Sequence, residues 1–399
     1  MGNAPWLSVI GLGEDGLDGL SPASRQVLDD AEVIMAPPRH LSLVPHGTQD
    51  RIEWPVPYVD GFAKLLDLRG KKTVVLASGD PFWFGAGSVI ARNLAPDEWT
   101  ALPGPSTFSL AAARLAWPLE KTLTMGLHAA PLARLRPHLA RGVRAIVLLR
   151  DGDAVLDLAE WLTALGFGDT TLHVMEALGG PRERVRQGTA NALGFDDIAH
   201  PVCVGLDLDG SGASIPKASG IPDTLFETDG QITKRPIRAL TLSALAPQQG
   251  EHLWDIGGGT GSIGIEWLMS HPSVTATTIE PRADRAERIR RNADAFGQDR
   301  LEVVHGLAPD ALVGLTPPDV VFIGGGFSEN LMRWLHETLA AGTRLVANAV
   351  TLESEAALAL WHGKLGGDLL RIELAQSAPL GPRRGWKSAY PVVQWSVML

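Results

Sequence analysis

HLWDIGGGTGSIGIEW, residues 252–267, is the stretch on which the fold turns. An apolar run closes on Asp255, glycines follow, and helical apolar spacing begins near Ser262. Strand, glycine loop and helix in that order make a βα unit of a Rossmann-like sheet. Glycine lets the backbone approach a ligand without a Cβ clash, and the helix N-terminus favours a nearby anion. Two patterns overlap here. Gly259, Gly261 and Gly264 satisfy the GxGxxG of dinucleotide enzymes, whereas Gly257, Gly259 and Gly261, with Thr260 between the last two, satisfy a GxGxG. Neither decides the ligand alone.

The flanking residues favour a methyl donor. Asp255 precedes the first glycine, where its carboxylate can engage the ammonium of a methionyl group but would repel a pyrophosphate. The next strand, VTATTIE, ends on Glu280, 25 residues after Asp255, placed to accept from ribose hydroxyls. Ribose is common to both cofactor classes, so Glu280 does not discriminate. VVHGLAPDAL (303–312) would set Gly306, Leu307 and Ala308 beside an adenine ring. PDVVFIGGG (318–326) would put Gly324, Gly325 and Gly326 on the floor where substrate and sulfonium meet.

Outward from this core, short apolar runs alternate with helical patterns along nearly all 399 residues, as expected of βα units and mainly parallel sheets. DLDGSGASIPKASGIPDTLFETDGQ, near Asp207 to Gln231, lacks lasting periodicity and reads as a connection. The expected division is 1–207, a connection at 208–231, and 232–399. At the end, runs Leu370–Gln376 and Tyr390–Met398 flank the loop SAPLGPRRGWKSA and suggest an antiparallel pair at a sheet edge. In the first half, SVIGLGEDG (8–16), ASGDPFWFGAG (77–87) and LPGPSTFSLAAARLAWP (102–118) are close-approach loops with no Walker lysine.

Composition narrows the function. The formal net charge is −10, which disfavours a nucleic-acid partner. Cys203 is the single cysteine, expected to be a buried apolar side chain; it forms no internal disulfide, and a reducing, cytoplasmic setting follows. MGNAPWLSVIGLG lacks an export signal and no run is long and apolar enough for a membrane span. The 11 histidines show no HExxH or paired ligand spacing, so no metal site is expected.

ITKRPIRALTLSAL, DIGGGTG, HGLAPDAL, FIGGG and NAVTLES, in that order over about residues 222–399, resemble the C15-methylating, decarboxylating component of cobalamin biosynthesis. The three loops of the first half, over about residues 6–205, resemble the tetrapyrrole methylases, or class III methyltransferases. The implied architecture is α/β: an N-terminal two-lobed tetrapyrrole-methylase fold plus a C-terminal Rossmann-like class I methyltransferase fold. The resemblance implies one S-adenosyl-L-methionine site in each half. In the first, Gly11 and Gly13, then Gly79, Asp80 and Pro81, then Pro103, Gly104, Ser106 and Thr107 match the family's loops. Many members have Gly-Pro-Gly where this chain has Gly13-Glu14-Asp15-Gly16. That departure leaves the role of Asp15 open, against a solvated turn residue; for Asp80 the rival is a backbone cap.

Together the two resemblances imply a corrinoid precursor, precorrin-6B, which gains methyl groups at C5 and C15 and loses its C12 acetate carboxyl as carbon dioxide. No catalytic side chain is singled out. A polycarboxylate substrate calls for cationic anchors, for which Lys234, Arg235, Arg238, Arg383, Arg384 and Lys387 are candidates against a solvated basic face. A homo-oligomer is expected from the resemblance only. The competing readings are a dinucleotide-dependent oxidoreductase, a class III/class I methyltransferase fusion acting on RNA, and a tetrapyrrole carrier with degenerate sites.

Overall fold

The computed structural model describes residues 5–55 and 60–399; the first four residues of the stretch read for export lie outside that range. The chain divides into unit 1, Met1–Ala130 with Leu139–Ala213, and unit 2, Pro131–His138 with Ser214–Leu399. Among the described residues no helix is long and apolar enough to cross a membrane.

Unit 1 has two lobes. The first is a parallel sheet of β1 (Leu7–Leu12), β2 (Val33–Ala36), β3 (Asp50–Glu53), β4 (Thr73–Ser78) and β5 (Trp99–Leu102), in the order β3-β2-β4-β1-β5. β1 and β4 are almost continuously apolar because both of their faces are covered. Leu7, Val9 and Val75 pack on one side, Ile10, Leu12 and Leu76 on the other. The second lobe contains β6 (Leu123–Gly126), β7 (Arg144–Leu149), β8 (Thr171–Glu176), β9 (Arg184–Thr189) and β10 (Val202–Asp207), in the order β6-β7-β10-β8-β9. Only β6 and β7 run parallel here; the other three pairings are antiparallel. The expectation of mainly parallel sheets fails for this lobe, because β8 returns directly into β9 without a crossover helix.

Unit 2 is doubly wound. Its strands are β11 (His252–Ile256), β12 (Thr275–Glu280), β13 (Glu302–His305), β14 (Val320–Ile323), β15 (Arg344–Ala349), β16 (Asp368–Ile372), β17 (Ala375–Leu380), β18 (Arg383–Ser388) and β19 (Val392–Met398). The main sheet runs β13-β12-β11-β14-β15-β19-β16, with β19 antiparallel to both neighbours. Alternate residues face opposite layers. Leu253, Val320 and Phe322 meet helices Arg235–Leu245, Ser262–Ser270 and Ala283–Ala295; Trp254, Val321 and Ile323 meet Glu329–Thr338 and Leu352–Leu365.

Two stretches read as loops are more ordered than composition implies. Within 208–231, Ile215, Ile221 and Phe226 enter the core of unit 2, and Phe226 stacks on Phe296 with ring centroids 4.6 Å apart. The segment SAPLGPRRGWKSA largely forms the hairpin β17–β18, paired from Ala375–Ser388 to Leu380–Arg383, so it is not a plain loop. The run Leu370–Gln376 is accordingly split between β16 and β17.

Candidate active sites

In unit 2 the parallel strands β11, β12 and β14 end in register, Ile256 beside Ile279 and Ile323. The amides of Gly257 and Gly258 donate to the Ile279 carbonyl at 2.9 and 3.2 Å, and Gly324 N–H donates to the Ile256 carbonyl at 2.9 Å. Gly257 has φ +78°, and a Cβ on it would lie 2.8 Å from the Gly325 backbone nitrogen. The loop and the floor therefore touch backbone to backbone. By contrast, the missing Cβ positions of Gly259, Gly325 and Gly326 point into open space. These glycines form a cradle rather than a packed turn.

Two buried acids flank it. Asp255 Oδ2 accepts from Gly264 N–H and from the Thr278 hydroxyl, both at 3.2 Å. Burial pushes its carboxyl up to about 6, against the lowering effect of those hydrogen bonds and with a further push from Glu280. Glu280 accepts from Gly259 N–H at 2.8 Å and from Arg282 N–H at 3.1 Å. A carboxylate has further lone pairs for hydroxyl donors. Gly261, φ +76°, opens the helix Ser262–Ser270, and the buried Thr260 offers its carbonyl to Asn292 Nδ2 at 2.9 Å. Asn292, which sequence reading passed over, also binds the Glu227 carbonyl at 3.0 Å and pins the loop. The segment with Leu307, 67% exposed, and Ala308 starts at the same edge, since Gly306 N–H donates to the Glu280 carbonyl at 3.1 Å. An open glycine cradle between two acids fits S-adenosylmethionine.

The cationic candidates separate. Arg238 is 0% exposed and is not available as a substrate anchor. Its guanidinium is engaged by Glu266, by Asp223 at 3.0 Å, by the carbonyls of Thr233 and Ile221, and by the face of Phe226. Glu266 in turn accepts the amides of Gly220 and Ile221. The arginine holds the 220–233 segment against the core. Lys234 and Arg235 are exposed at the start of a helix, and Arg383, Arg384 and Lys387 are exposed on β18.

In unit 1 a cavity of about 720 Å³ lies between the lobes. That volume is typical of a small-molecule site. Gly13, Gly79, Asp80, Ser106 and Thr107 line it. Gly11 instead packs the loops together, since a Cβ there would fall 1.7 Å from the Gly79 carbonyl oxygen. The Pro81 carbonyl accepts from Gly87 N–H at 2.9 Å and shapes the turn. Asp80 Oδ1 caps Phe82 N–H at 2.9 Å, and Ser106 Oγ caps Ser109 N–H at 3.1 Å. Both therefore hold their loops as well as lining the cavity. Trp83 and Phe84 supply an aromatic face, with Trp83 and Phe108 centroids 5.3 Å apart. Cys203 is buried in the wall, its thiol pushed up to about 12 by desolvation.

Asp15 is exposed; the buried acid of this loop is Glu14, 8% exposed. Glu14 pairs with Arg39 and, at 3.1 Å, with Arg182. Arg39 also reaches His40 Nε2 at 3.1 Å and Ser78 Oγ at 2.8 Å. Sequence reading missed this cluster. Its signal was the Arg39-His40 pair after the β2 strand, in PPRH (37–40).

Two methyltransferase folds thus share the chain: a two-lobed tetrapyrrole-methylase unit and a class I unit. The model of the Tetrapyrrole (Corrin/Porphyrin) Methylases matches residues 7–194, and that of the Precorrin methyltransferase domain matches 224–399. A precorrin-6Y C(5,15)-methyltransferase [decarboxylating] from Sinorhizobium sp is 49% identical, covering 98% of this chain and 96% of that protein. Its counterpart from Mycobacterium tuberculosis is 43% identical, covering 98% of each. The solved C-terminal domain of precorrin-6Y C5,15-methyltransferase from Rhodobacter capsulatus is 54% identical over 46% of this chain and 100% of that one, with a TM-score of 0.45. The chain belongs to the precorrin-6Y C(5,15)-methyltransferase (decarboxylating) family.

Proposed function

We propose that this chain converts precorrin-6B to precorrin-8, methylating C5 in unit 1 and C15 in unit 2, where the C12 acetate is also decarboxylated. The observation that carries this reading is 43–49% identity, over 98% of the chain, to relatives named as decarboxylating precorrin-6Y C(5,15)-methyltransferases. S-adenosylmethionine, one molecule per unit, supplies an electrophilic sulfonium methyl when bound. In unit 2, Glu280 would hold the ribose and Asp255 the methionyl end, with Leu307 and Ala308 over the adenine. In unit 1, the Gly79–Asp80 and Ser106–Thr107 loops would hold the donor. The protein's part is to orient a carbon nucleophile against that methyl. Lys234 and Arg383 are proposed to meet acidic side chains of the substrate. We place the reaction in the cytoplasm, without a nucleic-acid or metal partner, in a homo-oligomer.

The test supplies precorrin-6B and S-adenosylmethionine and follows product mass. Two methyl groups gained and one carbon dioxide lost are expected. A product with one methyl and an intact acetate would show one unit misassigned. Calorimetric titration with S-adenosylhomocysteine and NAD separates the oxidoreductase reading, which requires NAD to bind and S-adenosylhomocysteine not to.

A further inference from the structure

The wall of the unit 1 cavity formed by Glu14, Arg39, His40 and Ser78 contains a ring nitrogen with no partner among the described residues. His40 is 5% exposed and lines the cavity. Its Nε2 lies 3.1 Å from Arg39 Nη2 and 3.0 Å from Ser78 Oγ. A guanidinium nitrogen only donates, so Nε2 is the acceptor of that contact. The neutral ring then carries its proton on Nδ1. Burial, with the charge of Arg39 second, lowers the His40 pKa to about 3, so the ring is neutral at physiological pH. Among the described residues Nδ1 has no hydrogen-bond partner. A buried donor left unsatisfied is destabilising, and a ligand acceptor would remove that penalty.

The charge around the ring points to the kind of acceptor. Two guanidinium groups, Arg39 and Arg182, share the one carboxylate of Glu14. This cluster is left with a positive surplus. Arg39 is only partly buried, His200 lies close enough to feel its charge, and the cavity is lined further by Asp80 and Arg150 and by the aromatic Trp83, Phe84 and Phe108. A neutral donor beside an oriented guanidinium in such surroundings favours an anionic acceptor with more than one oxygen.

We propose that Arg39 and His40 form a carboxylate anchor in the unit 1 cavity, with Glu14 and Ser78 as positioning residues that fix the guanidinium and the imidazole tautomer. Two sources share this chemistry: an acidic side chain of the tetrapyrrole substrate and the methionyl carboxylate of the methyl donor. The first rests on the function proposed above; the second does not.

The test uses the full-length chain with His40→Phe, His40→Asn and Arg39→Met, each checked for an unchanged melting transition. Asparagine keeps an N–H near the position of Nδ1, and phenylalanine keeps only the shape. For each variant, KM and kcat for C5 methylation of precorrin-6B are measured, along with S-adenosylhomocysteine stoichiometry and affinity. We expect His40→Phe and Arg39→Met to weaken one ligand at least tenfold, and His40→Asn to recover most of that loss. A raised KM with two normal S-adenosylhomocysteine sites assigns the carboxylate to the substrate. Loss of one of those two sites assigns it to the methyl donor. Folded variants in which neither quantity moves, or a His40→Asn no better than His40→Phe, overturn the anchor. Failure of the unvaried chain to methylate precorrin-6B counts instead against the proposed function, and the S-adenosylhomocysteine arm still reads the anchor.

Discussion

Asp255 shows how one buried carboxylate ties a strand, a helix and their glycine loop together. Its Oδ2 ties the first turn of the helix Ser262–Ser270 to β12 through Gly264 and Thr278. Its carboxyl titrates near 6 in the fold, against an ordinary 3.8. Between those values the folded chain holds a proton that the unfolded chain has released. Its contribution is therefore present below about pH 4 and is lost as pH rises through about 6. An asparagine in its place would keep an acceptor oxygen without the buried charge. Asp255→Asn should therefore gain stability over the unvaried chain as pH rises from about 4 to 7, by about 2 kcal/mol. Denaturant unfolding at several pH values checks this; a difference that is flat with pH would refute it. The acid at this position was legible in the sequence because it closes an apolar run just before the glycines. Arg238 was misread for the converse reason: a cation in a polar-looking segment reads as exposed, and only packing reveals Glu266 and Asp223 around it.

At the scale of elements, the glycine loop of unit 2 admits no side chain at Gly258, where a Cβ would lie 2.1 Å from Thr278 Cγ2, nor at Gly257. Its positive φ and the 2.8 Å approach of Gly325 leave no space for a side chain, while Gly259 and Gly325 border open space. Gly257→Val should push the loop off its floor, cost about 1–3 kcal/mol of stability, and reduce S-adenosylhomocysteine binding from two sites to one. Calorimetric stoichiometry reads the outcome, and two sites retained would refute the cradle as the binding element. The loop was legible because its residues are contiguous. The hairpin β17–β18 was not: PLGPRRG has the composition of a turn, and strands in which most residues are exposed carry no apolar alternation.

For the whole molecule, the proposed division of labour makes the two chemistries separable. With precorrin-6B, Gly257→Val should yield a product carrying the C5 methyl alone, its acetate intact. His40→Phe should instead impair C5 methylation. Mass spectrometry of the products distinguishes these; loss of both methyl groups in Gly257→Val would contradict independent sites.

The alternation of strands and helices in the core of unit 2, its glycine loop and its two terminal acids follow from the sequence, because each is written in consecutive residues whose local conformation is set by apolar runs and glycine. The family pairing was legible for the same reason, in short contiguous motifs in a fixed order. The tertiary structure decided what depends on distant partners. Glu14, rather than Asp15, is the buried acid of unit 1 because Arg39 and Arg182 converge on it from other segments. Arg238 is a core residue because the 220–233 segment folds back over it. His40 keeps a ring nitrogen without a partner among the described residues because Arg39 and Ser78 take its other one. Whether a charged side chain is solvated, paired or aimed at a ligand is a property of its surroundings in space, and the linear order of residues does not specify them.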